Sequence, residues 1–407
     1  MNIRAGSYKK KLLSTIAILS LFCLDLVSYI PGVPISVSKS IVLLVSTICF
    51  LRLWKYGAQR PKHDLFNAMI VVYTIMLFIR LIIDFAIKGQ SFFVYSHTIT
   101  LFVFVLGIIY IPFYSVRYTM MELDINKLTI GIYIVLLICM TLSARTISGG
   151  QAELVSGGRF DANESLFSIL YGHLGVSLIF ASFCLKFTSV FRKLKPLLAL
   201  LGVFVGFVSL IYSGSRGPFV ALLLGVVLYL TLFQKNKKVS YVLIIGFILI
   251  IINIAPLLTA LNDFLESLDI YSFRRVASSI GVEHETGRED LWENAIADIL
   301  DSPFWGVSYL FENGTYVHNI FIEQFRALGF LGGLCFLFFN IILVFRGYNL
   351  CRNNKEYLLF YLLYIQYMVM GIFTSTIIVL SQYWAFMIIV LNLCNNEKCI
   401  GYNTNLS

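Results

Sequence analysis

Long apolar runs follow one another almost without a break along this chain, and that spacing limits the fold more than any single motif. Twelve can be traced, at 12–30, 35–53, 65–87, 92–114, 128–144, 165–185, 196–213, 218–233, 239–261, 318–345, 357–374 and 376–394. A helix needs about 20 apolar residues to cross the hydrocarbon layer, and such runs have no other continuous structure open to them in lipid. Composition points the same way. Only 13% of the 407 residues are charged and 58% are hydrophobic, with a mean hydropathy of +0.84, against about 25% charged in a soluble domain. The expected fold class is an all-α polytopic membrane protein with about 12 transmembrane helices. The eight cysteines lie in apolar runs or short basic links and form no CxxC pair, which suits packing rather than disulfides or zinc.

The net charge of +9 is unevenly spread. Basic residues crowd alternate links, as at Lys9–Lys11, Arg52 and Lys55, Arg192–Lys195, Lys235–Lys238 and Arg352–Lys355. The positive-inside rule therefore puts both termini in the cytoplasm. The first run lacks a small-x-small cleavage pattern and is expected to be an anchor rather than a signal peptide. The charge excess is a topology signal, so no nucleic-acid partner is expected; membrane lipids are. Three regions result: 1–261 with transmembrane helices 1–9, 262–317 as an external helical loop, and 318–407 with helices 10–12 and a cytoplasmic tail.

The inner links are short and hold no Gly-rich phosphate loop. The outer links at 145–164 and 262–317 are long, and long loops tend to carry function. In the second, Thr286-Gly-Arg-Glu289 reads as a capping box. Leu291, Trp292, Ala295, Ile296, Ile299 and Leu300 then recur at one-turn spacing, before Ser302-Pro303 ends the helix. The loop is expected to be a helical cap on the outer membrane surface.

Charged groups are costly in hydrocarbon, so their positions at span ends are informative. Tyr212-Ser-Gly-Ser-Arg-Gly-Pro218 joins two spans with almost no loop and sets Arg216 at a helix amino terminus. Guanidinium beside unpaired backbone N–H groups suits phosphate oxygens; contact with lipid headgroups is the alternative. Arg288 opens the amphipathic helix, and Arg159 lies in the glycine-flanked stretch Ser156–Phe160 of the other long loop. The three arginines together are candidates for an anion site. His318, in Tyr316-Val-His-Asn319, starts the tenth span, where the positive helix end favours neutral imidazole and a role as base. His97 and His173 lie within spans and are expected to make packing hydrogen bonds. Glu323 and Arg326 are expected to pair with each other, as are Arg80 and Asp84. Trp305 and Tyr316 are candidate sugar contacts, the other outer aromatics forming the interfacial belt. No metal-binding pattern is present, so neither metal nor cofactor is expected.

These residues resemble those of bacterial O-antigen polymerases, kin to O-antigen ligases. The resemblance rests on Ser213-Gly-Ser-Arg-Gly217, on Gly287-Arg-Glu-Asp-Leu-Trp292 with Pro303-Phe-Trp-Gly306, and on Tyr316-Val-His-Asn-Ile-Phe-Ile-Glu323 with Gly329 and Gly332-Gly333. It implies a GT-C-like fold in the bacterial inner membrane, with 262–317 as a periplasmic loop. It also implies metal-independent transfer of undecaprenyl-pyrophosphate-linked oligosaccharide at the periplasmic face, usually beside a chain-length regulator. Arg216, Arg288 and Arg159 would then bind the pyrophosphate, and His318 would take the proton of the acceptor hydroxyl. Ligation of finished polymer to lipid A–core is the alternative within the family. A lipid-linked oligosaccharide flippase is the alternative of another class. Transporters tend to show inverted repeats or interrupted helices with charges near the midplane. No such repeat is visible here, and the polar constellation is external.

Overall fold

In lipid each backbone N–H and C=O needs a partner within the chain, so apolar runs of this length fold as helices. The computed structural model describes residues 2–24, 26, 35–56, 65–91, 98–118, 121–148, 154–155, 159–160, 168–190, 192–233, scattered residues of 238–267, and 288–403. The helices are α1 (Asn2–Cys23), α2 (Ile35–Leu53), α3 (Leu65–Leu81, widening into a π turn at Ile82–Ile87), α4 (Thr98–Val105), α5 (Ile111–Tyr118, joined to α4 by a π turn) and α6 (Ile125–Ser148). After a two-residue antiparallel hairpin, β1 (Leu154–Val155) with β2 (Arg159–Phe160), come α7 (Ser168–Cys184), α8 (Lys195–Ser213) and α9 (Arg216–Phe233). Last come α10 (Arg288–Asp301), α11 (Ile320–Asn353), α12 (Leu358–Phe373) and α13 (Ser381–Asn403). Among the described residues, nine helical segments are long and apolar enough to cross a membrane. The expected run at 239–261 lies largely outside the described residues, and those of its residues that are described are helical.

Three helices form the centre. Almost every side chain of α7 and of the first part of α12 is buried, as is the whole stretch Ser381–Cys394 of α13. Helices α7 and α8 touch backbone to backbone. A Cβ on Gly175 would lie 2.7 Å from the Gly206 carbonyl oxygen, and one on Gly206 would lie 2.6 Å from that of Gly175. Lipid offers little hydrophobic drive for helix association, so small residues that permit such approach hold helices together. On the other side of the bundle, the Tyr73 ring of α3 packs on Phe336 and Phe339 of α11, and its hydroxyl donates to Gln324 Oε1 at 3.0 Å.

The ends of the helices group as the charge pattern groups them. Ser7 donates to Glu122 at 2.7 Å, and Lys355 Nζ donates to the Leu232 carbonyl at 2.7 Å. Each contact joins two segments that the sequence assigns to one side.

Helix α11 departs from expectation. It is not one continuous span but breaks at Gly329, whose φ of 66° no helix interior accepts. The segment before the break, 320–328, is short; the segment after it, 330–353, rises about 36 Å, long enough by itself to cross the hydrocarbon layer. The loop after α10 fills the break. Val307 N donates to the Arg326 carbonyl at 2.7 Å, and Phe330 N to the Pro303 carbonyl at 2.6 Å. The fit is too close for side chains: a Cβ on Gly329 would sit 2.4 Å from the Phe304 carbonyl oxygen, and one on Gly306 (φ 68°) 2.4 Å from that of Ala327. The Pro303–Gly306 motif is thus the partner of a helix break. Gly329→Ala adds left-handed strain and this clash, and is expected to cost more than about 2 kcal/mol, read as a lower melting midpoint of the purified protein.

Candidate functional site

The carboxyl end of α12 gathers the polar residues singled out above. The last carbonyls of a helix have no partner within it and carry its negative dipole end, so cations and donors collect there. Arg288 Nη1, from the first residue of α10, donates to the Phe373 carbonyl at 2.9 Å. His318 Nδ1 lies 3.5 Å from the Thr374 carbonyl. On a third side stands the α8–α9 turn. Gly214, at φ 53°, ends α8 and donates to the Ile211 carbonyl at 3.2 Å, and α9 starts with exposed Arg216. A Cβ on the next residue, Gly217, would lie 3.8 Å from Phe373 Cβ. Two sequence candidates from distant segments, Arg288 and His318, thus meet at Phe373–Thr374, and the turn that carries the third, Arg216, passes beside them.

His318 is held in an unusual conformation. Its φ of 59° is the single positive value among the described non-glycine residues; such outliers cluster where the fold needs a specific geometry. Asn319 then caps α11, its side chain accepting from Phe321 N and Ile322 N at 3.0 and 3.2 Å. The Tyr316 ring lies 4.0 Å from the imidazole, centroid to centroid, which brings that candidate into the site too. Burial holds the His318 imidazole below its usual range; the Arg288 charge acts in the same direction, and the Thr374 carbonyl opposes them. The neutral ring, protonated on Nδ1 towards Thr374, leaves Nε2 as a proton acceptor. Burial also pushes the Tyr316 phenol up to about 12, so it stays neutral.

Glu323 and Arg326 do not pair. Both are buried, and each ties a different segment to α11. Glu323 Oε1 accepts from Thr376 Oγ1 at 2.9 Å and from Ile377 N at 3.2 Å, fixing the turn that follows Phe373–Thr374. Arg326 Nε instead meets Asp298 of α10 at 2.7 Å, its Nη1 donates to the Ser308 carbonyl at 2.7 Å, and the guanidinium lies over the Phe311 ring. Trp292 adds a second tie, donating through Nε1 to the Val317 carbonyl at 3.1 Å. Helix α10 is therefore clamped from both ends of its buried face, which sets the position of Arg288. Sequence spacing suggested a Glu323–Arg326 pair; only the fold shows that better partners stand on α10 and the 374–380 turn.

The remaining candidates lie elsewhere. Arg80 and Asp84 do approach, at 3.4 Å, but as part of a larger clamp. Arg80 also donates to the carbonyls of Trp305, Gly306 and Val307, and Asp84 Oδ2 accepts from Tyr309 N at 2.9 Å. Trp305 is thus fixed by its backbone while the residue as a whole is 82% exposed, and no described contact joins it to His318. Arg159 lies in β2, against α8. His173 is buried without the expected packing hydrogen bond: neither ring nitrogen has a partner among the described residues. His97 and Thr286 lie outside the described residues.

Fold and contacts together define a multi-pass helical membrane protein in which an arginine and an imidazole meet at one helix end. Residues 201–337 match the protein-family model described as O-Antigen ligase, and this match supports the O-antigen polymerase/ligase family. The matched span holds Arg216, Arg288, His318, Glu323 and the Gly329 break. No curated protein matches the chain.

Glu323→Ala leaves the Thr376 hydroxyl and the Ile377 amide without their buried acceptor, at about 1–3 kcal/mol each. The expected result is faster hydrogen exchange across 374–380, with exchange in the centre of α7 unchanged.

Proposed function

We propose that the protein is an O-antigen repeat-unit polymerase. It would transfer an undecaprenyl-pyrophosphate-linked glycan to a second lipid-linked repeat unit at the periplasmic face of the inner membrane. The observation that carries this reading is the meeting of Arg288 and His318 at the end of α12, beside the turn that carries Arg216. The family match supports the class of chemistry. In the reaction, the acceptor hydroxyl oxygen attacks the anomeric carbon of the donor sugar. The bond from that carbon to the pyrophosphate oxygen breaks, and the hydroxyl proton passes to His318 Nε2. Pyrophosphate leaves with negative charge, which fixed guanidinium groups stabilise where it develops. Arg216 and Arg288 suit that task, because neither loses charge at any working pH. Arg159 is a third contact on this reading.

Ligation of polymer to lipid A–core would use the same chemistry with another acceptor, and a deletion strain separates the two. Loss of a polymerase leaves core bearing a single repeat on a lipopolysaccharide gel. Loss of a ligase leaves bare core, with polymer retained on its lipid carrier. A normal ladder would sink both readings. The flippase alternative has no support from the family match.

Two variants test the assigned roles. His318→Gly removes the base while relieving left-handed strain of about 1–2 kcal/mol. It is expected to abolish the ladder without lowering the melting midpoint, and a full ladder would remove His318 from the chemistry. The second test concerns pH. A base with a depressed pKa is neutral above that value and protonated below it, so kcat/KM is expected to fall on the acid side only below the ordinary imidazole value of about 6.5. Arg288→Gln removes a charge that disfavours imidazolium, so residual activity should lose its acid limb at higher pH than wild type.

A further inference from the structure

Helix α10 has three faces. Around fully buried Ala295 it turns Leu291, Trp292, Asp298 and Ile299 inward, all partly buried. One flank, carrying Asp290, Asn294 and Asp301, is exposed and polar along its length. The other flank is exposed too, but its chemistry changes along the axis. It begins with Glu289 and Glu293, then continues with Ile296, 49% exposed, and Leu300, 69% exposed. These residues follow one another at three- and four-residue steps and so share a side of the helix. Beyond the helix the apolar stretch runs on into Phe304 and Trp305, 76% and 82% exposed.

The apolar end does not finish in open space. The Pro303 carbonyl accepts from Phe330 N at 2.6 Å, which seats Phe304 beside the start of the membrane-crossing half of α11. There Phe330, Leu331, Leu334 and Phe338 are also exposed, inside a segment long and apolar enough to span a bilayer. The exposed surface of Leu300, Phe304 and Trp305 is therefore continuous with a lipid-facing surface. A line that passes from carboxylates to large apolar groups and then joins a span is the pattern of a helix crossing from water into lipid.

We propose that α10 is inclined into the bilayer leaflet on the side of the site. Leu300, Phe304 and Trp305 sit among acyl chains, Ile296 lies near headgroup level, and Glu289 and Glu293 remain in water. This assigns Trp305 to lipid rather than to sugar. Arg288 stands about 18 Å along the axis from Leu300, so the buried foot sets its height above the hydrocarbon. On the functional reading above, that is the height at which a lipid-linked pyrophosphate presents its charge.

The test uses tryptophan fluorescence of the full chain in phosphatidylcholine nanodiscs. The difference between wild type and Trp305→Phe reports Trp305 itself. Leu300→Trp and Glu293→Trp, each made in the Trp305→Phe background, report the two ends of the stripe. Trp305 and the indole at 300 are expected to lose most of their emission to chain-brominated lipid and little to aqueous iodide, and the indole at 293 to behave in the opposite way. Iodide quenching of all three alike would place the stripe in water and overturn the proposal. Shielding of 300 and 305 from both quenchers would overturn it as well, by showing that protein, such as a second copy of the chain, covers them. No turnover is measured, so a failure here is distinct from a failure of the glycan-transfer reading.

Discussion

A helix that breaks inside a membrane protein exposes backbone donors and acceptors that hydrocarbon cannot satisfy. The architecture of the site depends on how this chain meets that demand at Gly329. The loop after α10 places Pro303 and Val307 against the open ends of the helix, and Arg80 and Asp84 of α3 hold that loop from behind. The break lets the short segment 320–328 stand apart from the span, with His318 at its tip. It also brings α10 back along α11, where Arg326 and Asp298 join the two. Without the inserted loop, neither Arg288 nor His318 would have a fixed place.

The second organising element is the carbonyl end of α12. It is negative by construction, so it draws an arginine from one segment and an imidazole from another. It does not neutralise them. A guanidinium keeps its charge when it donates to a neutral carbonyl such as that of Phe373. The imidazole keeps Nε2 free of the Thr374 contact. Glu323 steadies the turn that follows, accepting from Thr376 and Ile377.

Much of this was legible from residue patterns. Helix positions followed from apolar run lengths, and the α8–α9 turn was readable from Gly214, Arg216 and Pro218 because tight turns demand those types. His318 stood out by its place before a helix start. Other features had no local signature. Glu323 and Arg326, three residues apart, look like partners until α10 and the 374–380 turn offer each a better one. Trp305 shares its exposure with Leu300, Phe304 and Phe330, a patch that no local spacing announces. Gly329 reads as one more small residue in a glycine-rich helix, because the loop that makes its φ necessary lies more than twenty residues earlier in the chain.

The sequence by itself determined that the chain is a bundle of membrane helices, and it singled out Arg216 and His318 at the starts of spans. Hydropathy and charge are local properties that lipid sorts directly. Only the tertiary structure decided which candidates meet, since the contacts of Arg288 and His318 with Phe373–Thr374 depend on a loop inserted into α11 and on the ties that hold α10 against it. Those contacts join residues far apart in the chain, and no spacing rule within one segment encodes them.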